Sequence, residues 1–289
     1  MSQTNNEQLT AQQATNEQLK RFNRSISAVE TQQYLQCVLG EKKNSFVNNI
    51  VALVSNSESL QKCAPMSIVY ACLKATALDL PLDPNIGFAY VIPYKNGKTG
   101  KYEAQFQLGY RGLVQLSLRS AKISKLNVTD VREGELRSRD LLTGDVDIRA
   151  VENRGALPVV GYAAFFELKD TGLRKVLYMS KEEIEAHAKR YSKTYSSQYK
   201  DTRDSSKWTT DFDAMASKTV LKLLLSKWAP LSVEMANAIT LDQQVFNEQG
   251  EGQYADNPED QQAIVCTEDR KEALREKIEQ GGTTAPTLL

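Results

Sequence analysis

Apolar residues recur at intervals of three and four along four stretches of the chain, and this period predicts amphipathic helices. The stretches cover residues 44–55, 65–78, 181–191 and 212–228. Pro65 suits the first turn of the second helix, and Ser180 with Glu183 forms a capping box before the third. Helices are therefore expected on both sides of the central part of the chain.

The helix predicted at residues 212–228 combines a broad apolar arc with lysines. The arc comprises Phe212, Ala216, Val220, Leu223 and Leu224. Since each helical residue advances about 100°, Lys218 and Lys222 stand about 40° apart outside this arc. Two solvated lysines on an ordinary amphipathic helix would explain the pattern, and a surface that binds a polyanion is the alternative.

Between these helices the apolar period changes to two, which predicts strands. Residues 86–94 and 102–110 flank the sequence KNGKTGK, which indicates a β-hairpin with a basic, glycine-rich tip. The faces predicted to be apolar are Ile86, Phe88, Tyr90, Ile92 and Tyr94 on the first strand, and Tyr102, Ala104, Phe106, Leu108 and Tyr110 on the second. Further strands are predicted at 123–131, around 146–151, at 159–168 and at 174–180. This order favours an α+β fold, with a curved antiparallel sheet and the hairpin packed against helices.

Charge divides the chain into a basic body and an acidic tail. The 289 residues include 36 basic and 36 acidic side chains, but residues 233–289 contain 12 acidic and 4 basic ones, so that residues 1–232 carry a net charge of +8. Charge and composition together predict a disordered segment at residues 1–26, a folded core at 27–242 and a flexible acidic tail with a short helix at 243–289.

No apolar run is long enough to span a membrane, and the N-terminus lacks the charged-then-apolar pattern of a signal peptide. Cys37, Cys63, Cys72 and Cys266 include no C-x-x-C pair, which gives no support to a metal cluster or a dithiol centre. His187 is the only histidine, and this excludes a histidine-rich metal site. We expect His187 to pack or cap locally. We therefore expect a cytoplasmic protein without metal or cofactor.

Cationic and aromatic side chains are interleaved between residues 189 and 208, a pattern that suits single-stranded nucleic acid. The segment contains Lys189, Arg190, Lys193, Lys200, Arg203 and Lys207 among Tyr191, Tyr195, Tyr199 and Trp208. A second basic stripe is predicted where Arg111, Gln115, Arg119 and Lys122 fall within about 80° of one another on a helix. Both segments favour contacts with phosphates, which position a nucleic acid without reading its sequence.

Two motifs suggest other chemistry. The sequence GKTG at residues 97–100 matches only the end of a phosphate-binding loop, because Ile92 stands where the first glycine belongs and the segment joins two strands. Asp147, Glu167 and Lys169 resemble the carboxylates and lysine of a Mg²⁺-dependent nuclease, and this is the alternative function.

Three segments together resemble the RecT family of phage and prophage single-strand annealing proteins. They are SIVYACLKATALDLPLDPNIGFAYVIPY, AQFQLGYRGLVQLSLRS and WTTDFDAMASKTVLKLLLSKWAPLS, and the resemblance extends from about Ser45 to about Ile239. It implies an α+β core shared with lambda Redβ and the eukaryotic Rad-type annealing proteins. It also implies ATP-independent pairing of complementary DNA strands by an oligomer, either a ring or a filament. Asp79 departs from the family, which often has a small residue at this place.

The resemblance also implies partners, namely single-stranded DNA and the annealed duplex intermediate. A phage exonuclease and the host single-strand-binding protein are expected to bind the C-terminal tail, in the cytoplasm of a bacterial host. No covalent bond is broken in annealing, so we predict no catalytic residue. The residues predicted to line one DNA-binding groove are Lys95, Lys98, Lys101, Gln105, Gln107, Tyr110, Arg111, Arg119, Lys122, Lys189, Arg190, Tyr191, Lys193, Lys207, Trp208, Lys218 and Lys222.

Overall fold

A computed structural model of the protein describes residues 16–96 and 100–254. These residues form helices and antiparallel sheets, which confirms the predicted α+β class. Within the same residues, no helix is both long enough and apolar enough to cross a membrane.

The helices predicted from the apolar period are present, and others precede them. The helices are α1 (residues 16–27), α2 (Val29–Leu39), α3 (Lys43–Ser55), α4 (Glu58–Gln61), α5 (Pro65–Ala77), α6 (Tyr110–Arg119), α7 (Lys181–Tyr191), α8 (Lys200–Asp204), α9 (Lys207–Thr210), α10 (Phe212–Trp228) and α11 (Val233–Leu241). Pro65 occupies the first turn of α5, and the capping box of Ser180 and Glu183 opens α7 as expected.

The N-terminal boundary differs from the expectation of disorder at residues 1–26. Residues 16–26 belong to α1, where Phe22 and Ile26 are buried in the core. Their i and i+4 spacing gives α1 an apolar stripe in an otherwise polar sequence. Residues 1–15 lie outside the described residues.

The strands form three antiparallel sheets. The strands are β1 (Ala89–Lys95), β2 (Tyr102–Leu108), β3 (Ile123–Arg132), β4 (Leu136–Arg139), β5 (Val146–Ile148), β6 (Val159–Leu168), β7 (Arg174–Ser180), β8 (Gln244–Phe246) and β9 (Gly252–Tyr254). Four strands pair in the order β1-β2-β8-β9, three in the order β3-β6-β7, and β4 pairs with β5.

The hairpin of β1 and β2 is confirmed, but β1 turns its other face to the core. Ala89 pairs with Leu108 and Val91 with Phe106, and all four side chains are buried. The predicted face of β1, which includes Tyr90, is only half-buried. Apolar residues occupy both faces of β1, so a period of two cannot show which face is inside.

Two helices cover the two larger sheets and join them in one core. Helix α5 packs against β1, β2 and β8, while α10 packs against β3, β6 and β7. Helix α6 contacts both α10 and β3. Buried side chains from these helices and from β1, β2, β3, β6 and β8 form one hydrophobic cluster, against which Leu177 and Met179 of β7 pack. Helix α10 is therefore covered by the three-stranded sheet and also by α6 and α11.

Helix α5 ends in a Schellman motif that uses Asp79 in place of glycine. The Leu80 N–H donates to the Ala75 carbonyl at 2.9 Å, and the Asp79 N–H donates to the Thr76 carbonyl at 3.0 Å. Asp79 has a φ of 51°, in the left-handed region where glycine is favoured. The departure of Asp79 from the family pattern thus falls on a position where a side chain is strained.

The C-terminal boundary of the fold lies beyond the predicted residue 242. Strand β8 pairs with β2 through Ala104 with Phe246 and Gln105 with Val245, and β9 adds to its other edge. Residues 244–246 and 252–254 are thus part of the sheet. The acidic tail and its predicted helix fall mostly on residues 255–289, which lie outside the described residues.

Candidate nucleic-acid interface

Helix α10 carries both lysines that were expected to face a nucleic acid, and the structure corrects this expectation for Lys218. Lys218 is only 8% exposed, whereas Lys222, one turn further on, is half-buried. The cause is the packing of α10, which is covered on more than one side and leaves no fully solvated stripe at Lys218.

Asp242, directly after α11, binds both of these lysines in a lysine–aspartate cluster formed by Lys218, Lys222 and Asp242. The Lys222 ammonium lies 2.7 Å from Asp242 Oδ2, and the Lys218 ammonium lies 3.4 Å from Oδ1. The Leu108 N–H also donates to Oδ1 at 2.9 Å. The carboxylate is 2% exposed, so its charge is compensated almost entirely by these three donors.

Burial and charge act in opposite directions on this cluster. Burial alone would raise the pKa of Asp242, but Lys218, Lys222 and the Leu108 N–H lower it below its ordinary value. Burial lowers the pKa of Lys218, and the charge of Lys222 adds to this effect against the attraction of Asp242. With both lysines protonated, the cluster retains one positive charge in excess.

A cavity of about 320 Å³ lies beside the cluster, and we call it the cationic cavity. Its walls come from α7, α9, α10 and the residues after α11, and they include His187, Tyr191, Trp208, Lys218, Lys222 and Asp242. Four of the predicted residues therefore meet here, namely Tyr191, Trp208, Lys218 and Lys222. Because the wall carries an excess positive charge at partly buried positions, the cavity favours an anion.

His187 also lines the cavity, and one of its ring nitrogens has no hydrogen-bond partner among the described residues. That nitrogen, Nδ1, is shielded from solvent. The His187 ring lies 4.5 Å from the ring of Tyr191, one turn along α7. Burial lowers the pKa of His187, and the charges of Lys222 and Arg190 lower it further. A lowered pKa favours the neutral form of the imidazole at neutral pH.

Two predicted contact residues are buried in the fold instead. Trp208 is 6% exposed and packs against Phe212 and Tyr195, so it has no free face on which a base can stack. Gln105 is also 6% exposed, and its side-chain amide donates to the Gln243 carbonyl at 2.8 Å. Gln105 is enclosed because β8 and α11 cover β2, which is an inner strand and not a solvent-facing one.

The remaining predicted residues lie mainly on the surface. The exposed ones are Lys95, Lys101, Arg111, Arg119, Lys122, Lys189, Arg190, Lys193 and Lys207, and the half-buried ones are Gln107, Tyr110 and Tyr191. Lys98 lies outside the described residues. Helix α6 ends at Arg119, so Lys122 is not part of the predicted helical stripe.

The two arginines of α6 also hold neighbouring backbone. Arg119 donates to the carbonyls of Leu78 and Asp79 at 2.9 and 3.1 Å, and Arg111 donates to the Ile86 carbonyl at 3.2 Å. These bonds tie α6 to the segment between α5 and β1. Substitution of either arginine would therefore change the fold as well as the surface charge.

The nuclease arrangement is not assembled. Glu167 accepts a hydrogen bond from Arg174 at 2.7 Å and pairs with Lys125 at 3.4 Å, while Lys169 is exposed beside the turn that follows β6. Asp147 lies in the separate β4–β5 sheet. Across residues 16–96 and 100–254, no group of three His, Cys, Asp or Glu side chains is placed to hold a metal ion. No observation favours the nuclease alternative.

Asp242 and Gln243 were missed by the analysis of the sequence, and His187 was assigned only a local role. Asp242 precedes β8 in a polar stretch that reads as the start of the acidic tail. The sequence does contain a signal for such a carboxylate, since two lysines stand one turn apart on a helix with apolar residues on both flanks. Buried ammonium groups require a carboxylate partner.

Fold and site together define an α+β protein whose helices enclose a cationic cavity suited to an anion. The chain belongs to the RecT family, whose family model matches residues 44–260.

Two curated relatives are similar to this chain. One is "Uncharacterized protein YqaK" from Bacillus subtilis (strain 168), which is 43% identical over 202 residues, or 70% of this chain. The other is "Protein RecT" from Escherichia coli (strain K12), which is 33% identical over 188 residues, or 64% of this chain. Each alignment covers 65% of the relative, so the chain matches less than two thirds of their length.

Proposed function

We propose that this protein binds single-stranded DNA and anneals complementary strands without ATP, in recombination of the phage type. The observation that carries the proposal is the RecT family match over residues 44–260. The cationic cavity supports it, because an excess ammonium charge beside a half-buried aromatic ring suits a phosphate of a flexible single strand.

Annealing requires that one strand be held by its phosphates while its base edges stay open to a second strand. In this proposal Lys222 and the surface cations Lys189, Arg190, Lys193 and Lys207 hold phosphates. Lys218 shares the neutralisation of Asp242 with Lys222, so that one ammonium charge of the pair remains in excess for DNA. Lys95, Lys101, Arg111, Arg119 and Lys122 extend the basic surface, with Tyr110 and Gln107 between them.

One protein of this size covers only a short tract of DNA, so stable pairing of long strands needs neighbours side by side. We therefore include a homo-oligomer on DNA, a ring or a filament, in the proposal. The acidic residues after Tyr254 would bind partner proteins, with a phage exonuclease and the host single-strand-binding protein as the candidates.

The first experiment mixes two complementary oligonucleotides with the protein in the absence of nucleotide, and follows duplex formation and strand length together. Faster duplex formation with strands of unchanged length is expected. Strands that shorten when Mg²⁺ is added would instead establish a nuclease, and an unchanged rate of pairing would contradict the proposal.

The second experiment compares Lys222→Gln with Lys227→Gln, a matched exposed lysine on the same helix. Each phosphate contact should lower the affinity about 2.6-fold when salt rises fourfold, since each contributes a slope of about −0.7. Lys222→Gln should weaken binding to single-stranded DNA and reduce this slope, and Lys227→Gln should change both less. Equal effects of the two substitutions would show that Lys222 does not make the phosphate contact.

A double substitution of Lys218 and Lys222 is not a suitable test. It leaves the carboxylate of Asp242 buried without a cation, which destabilises the fold by several kcal/mol and confuses loss of binding with loss of structure. The single variant Lys222→Gln keeps Lys218 as the partner of Asp242 and avoids this difficulty.

A further inference from the structure

The cationic cavity contains a titratable group that the proposed function does not use. His187 lines the cavity, its Nδ1 is buried, and no described residue accepts or donates a hydrogen bond at this atom. Because Nδ1 has almost no accessible surface, a ligand in the cavity can reach His187 only through the other ring nitrogen, Nε2. Since His187 is the only histidine of the chain, any titration of a histidine is its own.

Charged and titratable groups on several elements lie near His187. Helix α10 contributes Lys218 and Lys222, the segment after α11 contributes Asp242, and α7 itself contributes Arg190 and Tyr191. With His187 neutral, the lysine–aspartate cluster in the cavity wall has one positive charge in excess. A phosphodiester carries one negative charge, so its entry makes the cavity neutral and removes the repulsion that opposes a proton on the imidazole.

We propose that the cationic cavity binds a single backbone phosphate of single-stranded DNA, and that His187 takes up a proton as the phosphate enters and donates a hydrogen bond to it. This inference rests on the proposed function, because it assigns the DNA phosphate as the ligand and adds a proton to its binding. No bond is made or broken other than that of the proton, which comes from solvent.

The direction of the pH effect follows from this exchange. The pKa of His187 is lowered in the free protein and, in this proposal, is higher in the DNA complex, so between these two pKa values the complex binds more protons than the separate components. Affinity must then rise as the pH falls, in the range between the pKa of His187 in the complex and its lower pKa in the free protein. An unperturbed histidine titrates near pH 6.5, which places the effect around neutral pH and below.

The test measures the affinity of the tag-free, full-length protein for an oligonucleotide of thymidines by fluorescence anisotropy between pH 6 and 8, at constant ionic strength. Thymine does not titrate in this range, so the DNA contributes no proton. The expected result is a dissociation constant that falls at least about threefold from pH 8 to pH 6. In His187→Gln and His187→Asn, which stay neutral at every pH, the dissociation constant should no longer depend on pH in this way.

The matched control is Lys189→Gln, an exposed cation two positions further along α7. Loss of this charge should change the affinity by the same factor at every pH, so the dissociation constant should depend on pH as it does in the wild type. If the dissociation constant of His187→Gln also depends on pH as in the wild type, the proton belongs to another group and the inference is wrong.

A second measurement does not depend on the folding of any variant. Calorimetric titration of the wild type with the same oligonucleotide, in two buffers of different ionisation enthalpy, gives the number of protons taken up on binding. We expect a value between zero and one per bound protein near pH 6.5, and a value of zero would overturn the inference while the proposed function stands. A wild type that fails to bind DNA at any pH would overturn both.

Discussion

At the scale of single residues, Asp242 connects three parts of the fold through one carboxylate. Its two oxygens accept hydrogen bonds from Lys218 and Lys222 on α10 and from the Leu108 N–H at the end of β2. A buried ion pair of this kind adds little net stability over apolar packing, but removal of one partner leaves an uncompensated buried charge. Removal of Asp242, or of both lysines together, should therefore destabilise the fold.

We expect Asp242→Ala to lower the free energy of unfolding by roughly 3–5 kcal/mol, because Lys218 then remains charged and buried without a partner. Urea denaturation measures this value. Glu248→Ala, which removes an exposed carboxylate from the turn between β8 and β9, should stay within about 0.5 kcal/mol of the wild type. Similar effects of the two substitutions would show that Lys218 does not depend on Asp242 for the compensation of its charge.

His187 predicts a loss of stability in mild acid. Its pKa is lowered in the folded protein, so the unfolded chain binds a proton more readily, and stability falls as the pH decreases below about 6.5. Asp242 acts in a lower range, because its lowered pKa keeps its contribution intact above about pH 4. His187→Gln should therefore lose less stability than the wild type between pH 7 and pH 5.5, as measured by urea denaturation at both pH values. An identical loss would mean that His187 does not titrate differently on unfolding.

Asp79 predicts that one substitution stabilises the protein. Glycine adopts a φ of 51° without strain, and it also removes a negative charge from the C-terminal end of α5. Asp79→Gly should raise the free energy of unfolding by about 0.5–1 kcal/mol, whereas Asp79→Ala, whose Cβ is strained in this conformation, should not. Thermal or chemical denaturation of the two variants distinguishes them, and a more stable alanine variant would contradict the explanation.

At the scale of elements, the sequence indicates where helices and strands lie better than it indicates which way they face. The bounds of α7, α10, β6 and β7 agree with the predicted segments, because their apolar periods and caps are local signals. The facing of α10 differs, since Leu221 and Leu225 are buried and Leu223 is only half-buried. The contacts of α10 with α6 and α11 widen its buried surface, and these contacts are not visible in a local pattern.

This rotation of α10 changes the leucine on which the core depends. Leu224 is fully buried, whereas Leu223 lines the cationic cavity. Leu224→Ala should therefore destabilise the protein by roughly 2–5 kcal/mol, and Leu223→Ala by clearly less. Denaturation of both variants under the same conditions makes the comparison, and a larger effect of Leu223→Ala would contradict the burial of Leu224 described here.

The candidate site was predictable only in part for a similar reason. Lys218, Lys222, Tyr191 and Trp208 were all named from the sequence, and the structure places them around one cavity. Asp242 could not be named, because its contact with Leu108 joins residues 134 positions apart and no period or spacing records such a contact. The burial of Gln105 depends in the same way on a distant strand, β8.

At the scale of the whole molecule, the strands β8 and β9 determine how the acidic segment should be removed. A chain that ends at Tyr254 keeps β8 and β9, so it should still bind and anneal DNA while losing the partners proposed for the residues beyond it. A chain that ends at Asp242 loses Gln243 and β8 and should be destabilised. Annealing and pull-down assays on both chains test this. Loss of annealing in the longer chain would place residues 255–289 in the annealing machinery itself.

The pairing of β2 with β8 also has a consequence for how the protein is made. Gln105 and Gln243, which are hydrogen-bonded across this pair, are 138 positions apart. A ribosome adds about 5–20 residues per second, so roughly 7–28 s pass after Gln105 is made before its partner exists. During that interval the nascent hairpin of β1 and β2 has an open edge on β2, where strands of other chains can pair. The newly synthesised protein should therefore depend on chaperones until the last strands of its sheet have emerged.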